Sequence, residues 1–325
     1  MTTPKGKPAG RKPDRVETAL RALRDDPSSK TVEEALRSTI GVVVGAAAAH
    51  ADAHGLVAEL APAFVRLCEQ GSKRDPGCRG KVAIARTLHE LERWEDDVFE
   101  RGVRYVQDEP VFGGSVDTAA ELRGICAIAH AQFARSDALD VCATVLADKE
   151  RTARVGAAKA LGDSGRIDAA ALLRFKILVG DDEGEVLQSC FESLFALAPE
   201  RAAPFAIGCL AGHDDLAEIA ALALGTSRSD QAFAAIVSWS EAALPAQRGR
   251  VGYLALALMR SEQATAYLVD TIRQGEPRDA IAAAKALATF KDDTALLERI
   301  HQAARKQPDK AARTAIAQVG RTPGA

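Results

Sequence analysis

The sequence is poor in aromatic residues and almost free of methionine. Phe, Trp and Tyr make up 5% of the 325 residues, and only two methionines occur. Because β-sandwiches and β-barrels depend on aromatic and β-branched side chains, this composition excludes an all-β fold. Alanine supplies 65 residues, a fifth of the chain, and it is the residue that most favours helices. The composition therefore predicts an all-α protein.

Long apolar runs are lacking as well. The longest stretch without a charged or strongly polar side chain is Ile40 to Ala49, whereas a membrane-spanning helix needs about 20 apolar residues. No apolar segment of signal-peptide type follows the basic N-terminus. The net charge of −3 does not suit a bulk polycation for nucleic acid. We therefore expect neither a membrane segment nor a secretory signal.

The six cysteines are widely spaced and form no CxxC pair. Most of them fall at apolar positions of helical patterns, which indicates reduced, buried thiols in a cytoplasmic protein.

Residues 1–28 are predicted to form a basic, largely flexible N-terminal tail. Residues 1–30 carry a net charge of +4 and several prolines, and a short helix is expected from Asp14 to Arg24. Such a tail is either a solubilising extension or an electrostatic arm for an acidic partner.

One pattern returns along the rest of the chain. The string of residues 153–162 has small residues followed by Leu161 and Gly162, after a charged turn. Related strings occur at 37–45, 79–88, 122–129, 190–194, 220–225, 254–258, 283–287 and 315–320. Their average spacing after residue 153 is close to 32, which is typical of a repeat protein.

A second helical pattern lies between successive copies of the first. Apolar residues recur at i, i+3, i+4 and i+7 over 139–146, 169–179, 202–211, 231–240, 263–272 and 295–304. Two helices in every 30-odd residues predict an α-α superhelix of about eight helix pairs. We expect one solenoid over residues 29–325, with irregular longer repeats at 29–136 and regular repeats at 137–320. Small residues would let neighbouring helix pairs approach closely.

These strings resemble the HEAT-repeat superfamily, and within it the short bacterial HEAT-like repeats of phycobilisome bilin lyases. The resemblance rests on residues 154–162, 217–225 and 280–288, and it is strongest over 137–320. It implies an armadillo-like helical fold. The superfamily contains lyases, a di-iron hydroxylase, DNA glycosylases and many scaffolds, so the resemblance alone selects no activity.

The repeat rhythm lapses between residues 92 and 117, where the spacing lengthens to 44. We predict a helix from Asp96 to Gln107, with Val106 among its inward residues, and then a loop over 108–117. Long loops on regular scaffolds commonly carry binding residues. The candidate partner-binding residues, in and beside this loop, are Arg101, Arg104, Tyr105, Asp108, Glu109, Phe112, Asp117 and Arg123. Asp117 and Phe112 are expected near solvent. In the alternative interpretation, the apolar residues fill a groove and the charges form local ion pairs.

Motifs for catalysis or metal binding are not found. No HExxH, GxSxG or phosphate-loop sequence occurs, His50 and His54 offer only two metal ligands, and His89-Glu90 is the only His-Glu pair. We therefore expect no metal, no cofactor and, on balance, no enzymatic activity.

The function that this sequence favours is a non-catalytic scaffold that binds another protein through its concave face or the 108–117 loop. A first alternative is nucleic-acid binding through a basic ladder of inner-helix residues, namely Arg79, Arg123, Arg154, Lys159, Arg250 and Lys285. These basic residues can equally pair with the acidic turns beside them. A second alternative is a lyase-like enzyme subunit or chaperone that acts on a partner protein.

Overall fold

The computed structural model describes residues 15–212, 214–290 and 292–319, and most of these residues are helical. The prediction of an all-α protein is therefore confirmed. The chain divides into two compact units, Met1–Ala160 and Leu161–Ala325. No helix among the described residues has both the length and the apolar character needed to span a bilayer.

The first unit contains one hairpin among short and medium-length helices. Its elements are α1 (Arg15–Asp25), α2 (Ser29–Leu36), α3 (Gly41–Ala48), α4 (Leu60–Gln70), α5 (Arg79–Glu90), α6 (Asp96–Gly102), β1 (Asp108–Val111), β2 (Gly114–Asp117), α7 (Ala120–Gln132) and α8 (Ala138–Leu146). The next helix, α9 (Arg151–Asp163), contains the boundary between the units.

The second unit is wholly helical in its described part. Its helices are α10 (Ala169–Val179), α11 (Gly184–Leu197), α12 (Pro199–Gly208), α13 (Asp215–Ser227), α14 (Ala232–Ala242), α15 (Pro245–Gln247), α16 (Tyr253–Leu258), α17 (Glu262–Gln274), α18 (Pro277–Leu287), α19 (Thr294–Arg305) and α20 (Lys310–Ile316). A π-helical turn, Arg248–Gly252, lies between α15 and α16.

The repeated strings fall on helices. Those from 79–88 to 283–287 lie within α5, α7, α9, α11, α13, α16 and α18. The string 37–45 is interrupted, because α2 ends at Leu36 and α3 begins only at Gly41. The last string, 315–320, starts within α20, and its final residue lies outside the described residues.

Small residues mark the contacts between alternate helices within each unit. A Cβ atom on Gly80 of α5 would lie 2.6 Å from the carbonyl oxygen of Gly41 in α3. In the same way, Gly156 of α9 packs against the backbone of Gly124 in α7. In the second unit, Gly225 of α13 packs against the backbone of Ala255 in α16. The expected role of the small residues is therefore confirmed at these helix crossings.

The segment that follows α5 differs from its prediction in two ways. The helix α6 ends at Gly102 instead of Gln107, and Val106, expected to face inward, is exposed. The predicted 108–117 loop is an antiparallel hairpin. The sequence obscured this because Pro110 and the glycines Gly113 and Gly114 are typical of loops, although Pro is tolerated at the edge of a two-stranded sheet.

The expected N-terminal helix is found as α1, which packs on α2 and α3 and buries Leu23. The remainder of the predicted tail up to residue 14 lies outside the described residues.

Candidate functional site: an apolar hairpin over a buried polar network

The hairpin of β1 and β2 projects Phe112 from its tip. The strands pair from Asp108 opposite Asp117 to Val111 opposite Gly114, so Phe112 and Gly113 form a two-residue turn. Gly113 has a φ of +88°, a conformation in which a side chain would be strained. The turn therefore depends on glycine at this position and leaves the preceding aromatic ring outside the sheet.

The apolar residues of the hairpin are exposed to solvent. Phe112 is fully exposed, and Val111 and Val116 are each about half exposed. Because Glu109 lies opposite Val116, and side chains alternate along a strand, Val111 and Val116 share one face of the hairpin. The groove-filling alternative for Phe112 is therefore wrong, and its expected exposure is confirmed.

Asp117, by contrast, was expected near solvent and is buried. Its Oδ1 accepts hydrogen bonds from the backbone amides of Gln107 and Ala119, each at 3.0 Å, and its Oδ2 lies 2.8 Å from Nη1 of Arg123. Burial alone would raise the pKa of Asp117, but the two amides and the Arg123 guanidinium outweigh it and hold that pKa below 3.8. The carboxylate is thus a fixed anchor at the base of the hairpin.

Arg123 is also buried and joins the hairpin to two further segments. Its Nη1 donates to the carbonyl of Tyr105 at 2.8 Å, while Nε and Nη2 donate to the two carboxylate oxygens of Asp148 at 2.7 and 3.0 Å. Because the planar guanidinium offers several donors in fixed directions, one side chain contacts two carboxylates and a carbonyl. Its placement supports a structural role for this member of the proposed basic ladder.

Glu109 ties β1 to the loop before α5. Its Oε1 accepts hydrogen bonds from the amide of Gly77 at 2.7 Å, the hydroxyl of Thr118 at 2.8 Å and the side-chain amide of Gln107 at 2.8 Å. Burial opposes ionisation, but these three donors lower the pKa of Glu109 below its ordinary 4.5. The Gln107 amide also donates to the carbonyl of Asp75 at 2.9 Å.

An ion pair without solvent exposure lies next to this network. Nζ of Lys81 is 2.9 Å from Oδ2 of Asp75, and both side chains are completely buried. Asp75 also accepts the amides of Gly80 and Lys81, at the start of α5, while Nζ lies 5.2 Å from the centre of the Tyr105 ring. Burial raises the pKa of Tyr105 to about 12, so its phenol stays protonated.

The eight predicted site residues therefore separate by exposure. Arg101, Arg104, Asp108 and Phe112 are exposed, Tyr105 and Glu109 are half-buried, and Asp117 and Arg123 are buried. Two of the exposed charges have ion-pair partners, since Arg101 lies 3.7 Å from Asp97 and Asp108 lies 3.7 Å from Lys149. The structure thus brings the predicted residues to one hairpin but divides them between its surface and its support.

Sequence reasoning did not identify Asp75, Lys81, Gln107 and Thr118 as part of this support. One signal was present, because Asp75 precedes Pro76 and Gly77 immediately before α5, where a capping carboxylate is common. Lys81 gave no such signal, since a lysine between apolar residues of a helix normally extends its amine to water.

The predicted basic ladder is partly engaged in internal contacts. Arg154 donates to the carbonyls of Asp148 and Lys149, and Arg250 pairs with Glu218 at 2.6 Å. In the second unit, Arg250 and Lys285 also line one groove between the π-helical turn and α18. Trp239 packs internally, with its indole donating to the carbonyl of Gly212 at 2.9 Å.

Comparison with known proteins adds little to this description. No family model matches the sequence, and no curated protein matches it. A crystal structure of an engineered protein from the Northeast Structural Genomics Consortium is similar over 93% of this chain and 90% of that chain, with 15% identity and a TM-score of 0.36. A similarity of that strength carries no argument about function.

Proposed function

We propose that this protein is a non-catalytic scaffold that binds another protein through the β1–β2 hairpin. The observation that carries this proposal is the full exposure of Phe112 at the tip of a hairpin whose base is held by buried charges. Exposed aromatic side chains on a rigid support are typical centres of protein interfaces, because little conformational entropy is lost when they are covered.

The chemistry of the surface favours an apolar pocket in the partner. Val111 and Val116 provide a second apolar contact on one hairpin face, while Asp108 and Arg104 lie exposed nearby in the chain. The titratable groups at the hairpin base are occupied with internal hydrogen bonds, which supports a binding role over a catalytic one.

We also propose that each unit is a stack of HEAT-like helix pairs. The contacts of α11 with α13, α13 with α16, α16 with α18 and α18 with α20 in the second unit support this assignment. The contacts of α3 with α5 and of α5 with α7 support it in the first unit. The single solenoid expected over 29–325 stays a prediction.

We propose in addition that the protein is located in the reducing environment of the cytoplasm. This location is supported by the six cysteines, which are all unpaired, four of them buried.

The test is a photo-crosslinking experiment followed by affinity measurement. A photoreactive phenylalanine analogue at position 112 should crosslink a protein, and the purified partner should bind wild type at least tenfold more tightly than Phe112→Ala, a loss of about 1.4 kcal/mol or more. Phe175→Ala is the matched control, because Phe175 of α10 is also an exposed phenylalanine but lies in the second unit.

Equal affinities of wild type and Phe112→Ala for the crosslinked protein would contradict the hairpin proposal. Salt-sensitive binding of a 30-mer DNA duplex, lost on substitution of Arg250 and Lys285 but not of Phe112, would instead favour the nucleic-acid alternative.

A further inference from the structure

A second group of polar side chains lies near the C-terminal end of α7. It consists of Glu100 on α6, His130 on α7 and Asp137 in the turn before α8. One side-chain donor atom from each of the three lies within 4.8 Å of the others. Two carboxylates and an imidazole are all ordinary ligands of divalent transition metals.

The imidazole of His130 is completely buried, and its geometry leaves one nitrogen without a hydrogen bond. Nδ1 lies 2.8 Å from the carbonyl oxygen of Cys126, so Nδ1 must carry the proton and donate it. Nε2 has no hydrogen-bond partner among the described residues, and it lies 3.6 Å from Oε1 of Glu100. A lone pair on Nε2 opposite a carboxylate oxygen is unfavourable unless a proton or a metal ion lies between them.

Metal-binding histidines commonly show this arrangement, with one ring nitrogen donating to a backbone carbonyl and the other directed at the metal. The hydrogen bond to Cys126 restricts the orientation of the ring, and the His130 and Trp94 rings also meet in a T-shaped contact with 5.0 Å between centroids. The orientation of Nε2 is therefore set before any ligand arrives.

Asp137 supplies the third donor. It stands at the N-cap position of α8, yet its carboxylate makes no capping hydrogen bond there. Ala134, two residues after the end of α7, has a left-handed φ of +48°, and the chain turns there so that Asp137 lies beside His130. In tetrahedral zinc sites the ligand atoms are about 3.4 Å apart, so a small rotation of the Asp137 side chain would complete the set.

One positive charge competes for this site. Nη2 of Arg135 lies 3.6 Å from the same Glu100 oxygen, and its guanidinium stacks on Trp94 at 4.7 Å. With neutral His130, the two carboxylates and Arg135 leave one net negative charge, which still favours a divalent cation. Glu100 and Asp137 are both partly exposed, so an ion has a path from solvent.

From these contacts we propose that Glu100, His130 and Asp137 form a binding site for a divalent transition metal, with Zn²⁺ as the best match to one imidazole and two carboxylates. The ion would connect α6, α7 and the turn before α8, with the remaining coordination position open to water. This site is independent of the hairpin function, since none of its residues contributes to the network beneath β1 and β2.

The test uses the full chain, freed of metal by chelation and titrated with Zn²⁺ by calorimetry. We expect one Zn²⁺ per chain, and a rise in Tm of about 5 °C when free Zn²⁺ is roughly a hundred times Kd. Asp137→Asn should weaken binding at least tenfold. Asp140→Asn is the matched control, because it removes the same charge from an exposed residue of α8 outside the set.

A spectroscopic measurement tests the role of His130 without replacing this buried side chain. Co²⁺ at Nε2 should quench the fluorescence of the adjacent Trp94, and Zn²⁺ should reverse the quenching by displacement. No stoichiometric Zn²⁺ binding, or equal affinity in Asp137→Asn and Asp140→Asn, would overturn the proposal and identify the pair of His130 and Glu100 as a simple ion pair.

Discussion

Arg123 and Asp117 form a buried ion pair beneath the hairpin, with 2.8 Å between Nη1 and Oδ2 and side-chain exposures of 4% and 0%. The same guanidinium holds Asp148 through two hydrogen bonds. Arg123 therefore links the base of β2 with the turn before α9. Since burying these charges is costly, the pair indicates a defined hairpin position more than a gain in stability.

The first prediction concerns removal of this arginine. Arg123→Met keeps most of the side-chain volume but leaves the Asp117 carboxylate buried without its counter-charge. We expect the free energy of unfolding to fall by about 3–5 kcal/mol, because an uncompensated buried charge is strongly unfavourable. Urea denaturation followed by circular dichroism measures this change.

Arg86→Met is the control for that experiment. Arg86 also pairs with a carboxylate, Glu121, but both side chains are about half exposed. Exposed pairs contribute less than about 1 kcal/mol. Similar decreases in the free energy of unfolding for Arg123→Met and Arg86→Met would show that the buried ion pair matters no more to stability than an exposed one.

The second prediction concerns the stability of the protein at acid pH. The pKa values of Asp117 and Glu109 are lowered in the folded protein, so the unfolded chain binds protons more readily. Their contribution is fully present above the ordinary values of 3.8 and 4.5 and is lost as the pH falls through the lower folded-state values. Denaturation curves from pH 7 to pH 3 should show this decline.

Asp117→Asn identifies the origin of the acid sensitivity. Its stability deficit relative to wild type should narrow as the pH falls, because wild-type Asp117 then becomes neutral as well. Asp140→Asn removes an exposed carboxylate, so its free energy of unfolding should change with pH in parallel with that of wild type. A deficit for Asp117→Asn that is constant down to pH 3 would contradict the assigned role.

The sequence predicted the helices better than it predicted the hairpin, for physical reasons. Helical periodicity extends over many residues, so the strings around Leu161 and Leu224 locate α9 and α13 reliably. The four-residue strands of the hairpin are too short for a pattern, and Pro110 and Gly113 obscure them further. Their position depends on contacts with distant residues such as Asp75.

The same contrast applies to the candidate site. Exposure of Phe112 was predictable from its place in a long irregular segment. The burial of Asp117 was not predictable, since it depends on contacts of its carboxylate with the amides of Gln107 and Ala119 and with Arg123 of α7. The group of Glu100, His130 and Asp137 was also missed, because its three donors have no metal-motif spacing and meet only in the fold.

The third prediction concerns the glycine contact between α7 and α9. A Cβ atom on Gly156 would meet the backbone of Gly124, which cannot move aside as a side chain can. Although alanine is the better helix former, we expect Gly156→Ala to destabilise the protein by about 1–3 kcal/mol. Thermal unfolding monitored by circular dichroism measures it.

Gly208→Ala provides the opposite case. Gly208 also lies in a helix, α12, but a Cβ atom there would meet no atom of the described residues within 4 Å. Helix propensity alone then predicts a stabilisation of about 0.5–1 kcal/mol. Two substitutions of the same kind with opposite signs would establish close helix packing, and two stabilising results would refute it.

The last prediction concerns the thiols. Burial raises the pKa of Cys68 to about 11 and the pKa values of Cys78, Cys142 and Cys190 to about 12, so few thiolates exist at pH 8. In the folded protein a disulfide reagent should react slowly, and first at the two partly accessible thiols, Cys68 and Cys209.

Denaturation should make all six thiols reactive towards the reagent at once, since none is paired with another. Mass spectrometry of the partially reacted protein identifies the sites. Rapid modification of Cys78 in the folded chain would mean that the loop before α5 opens readily. In that case the hydrogen bond from Gly77 to Glu109 would be too weak to hold β1, and the rigid support required for protein binding at Phe112 would be lost.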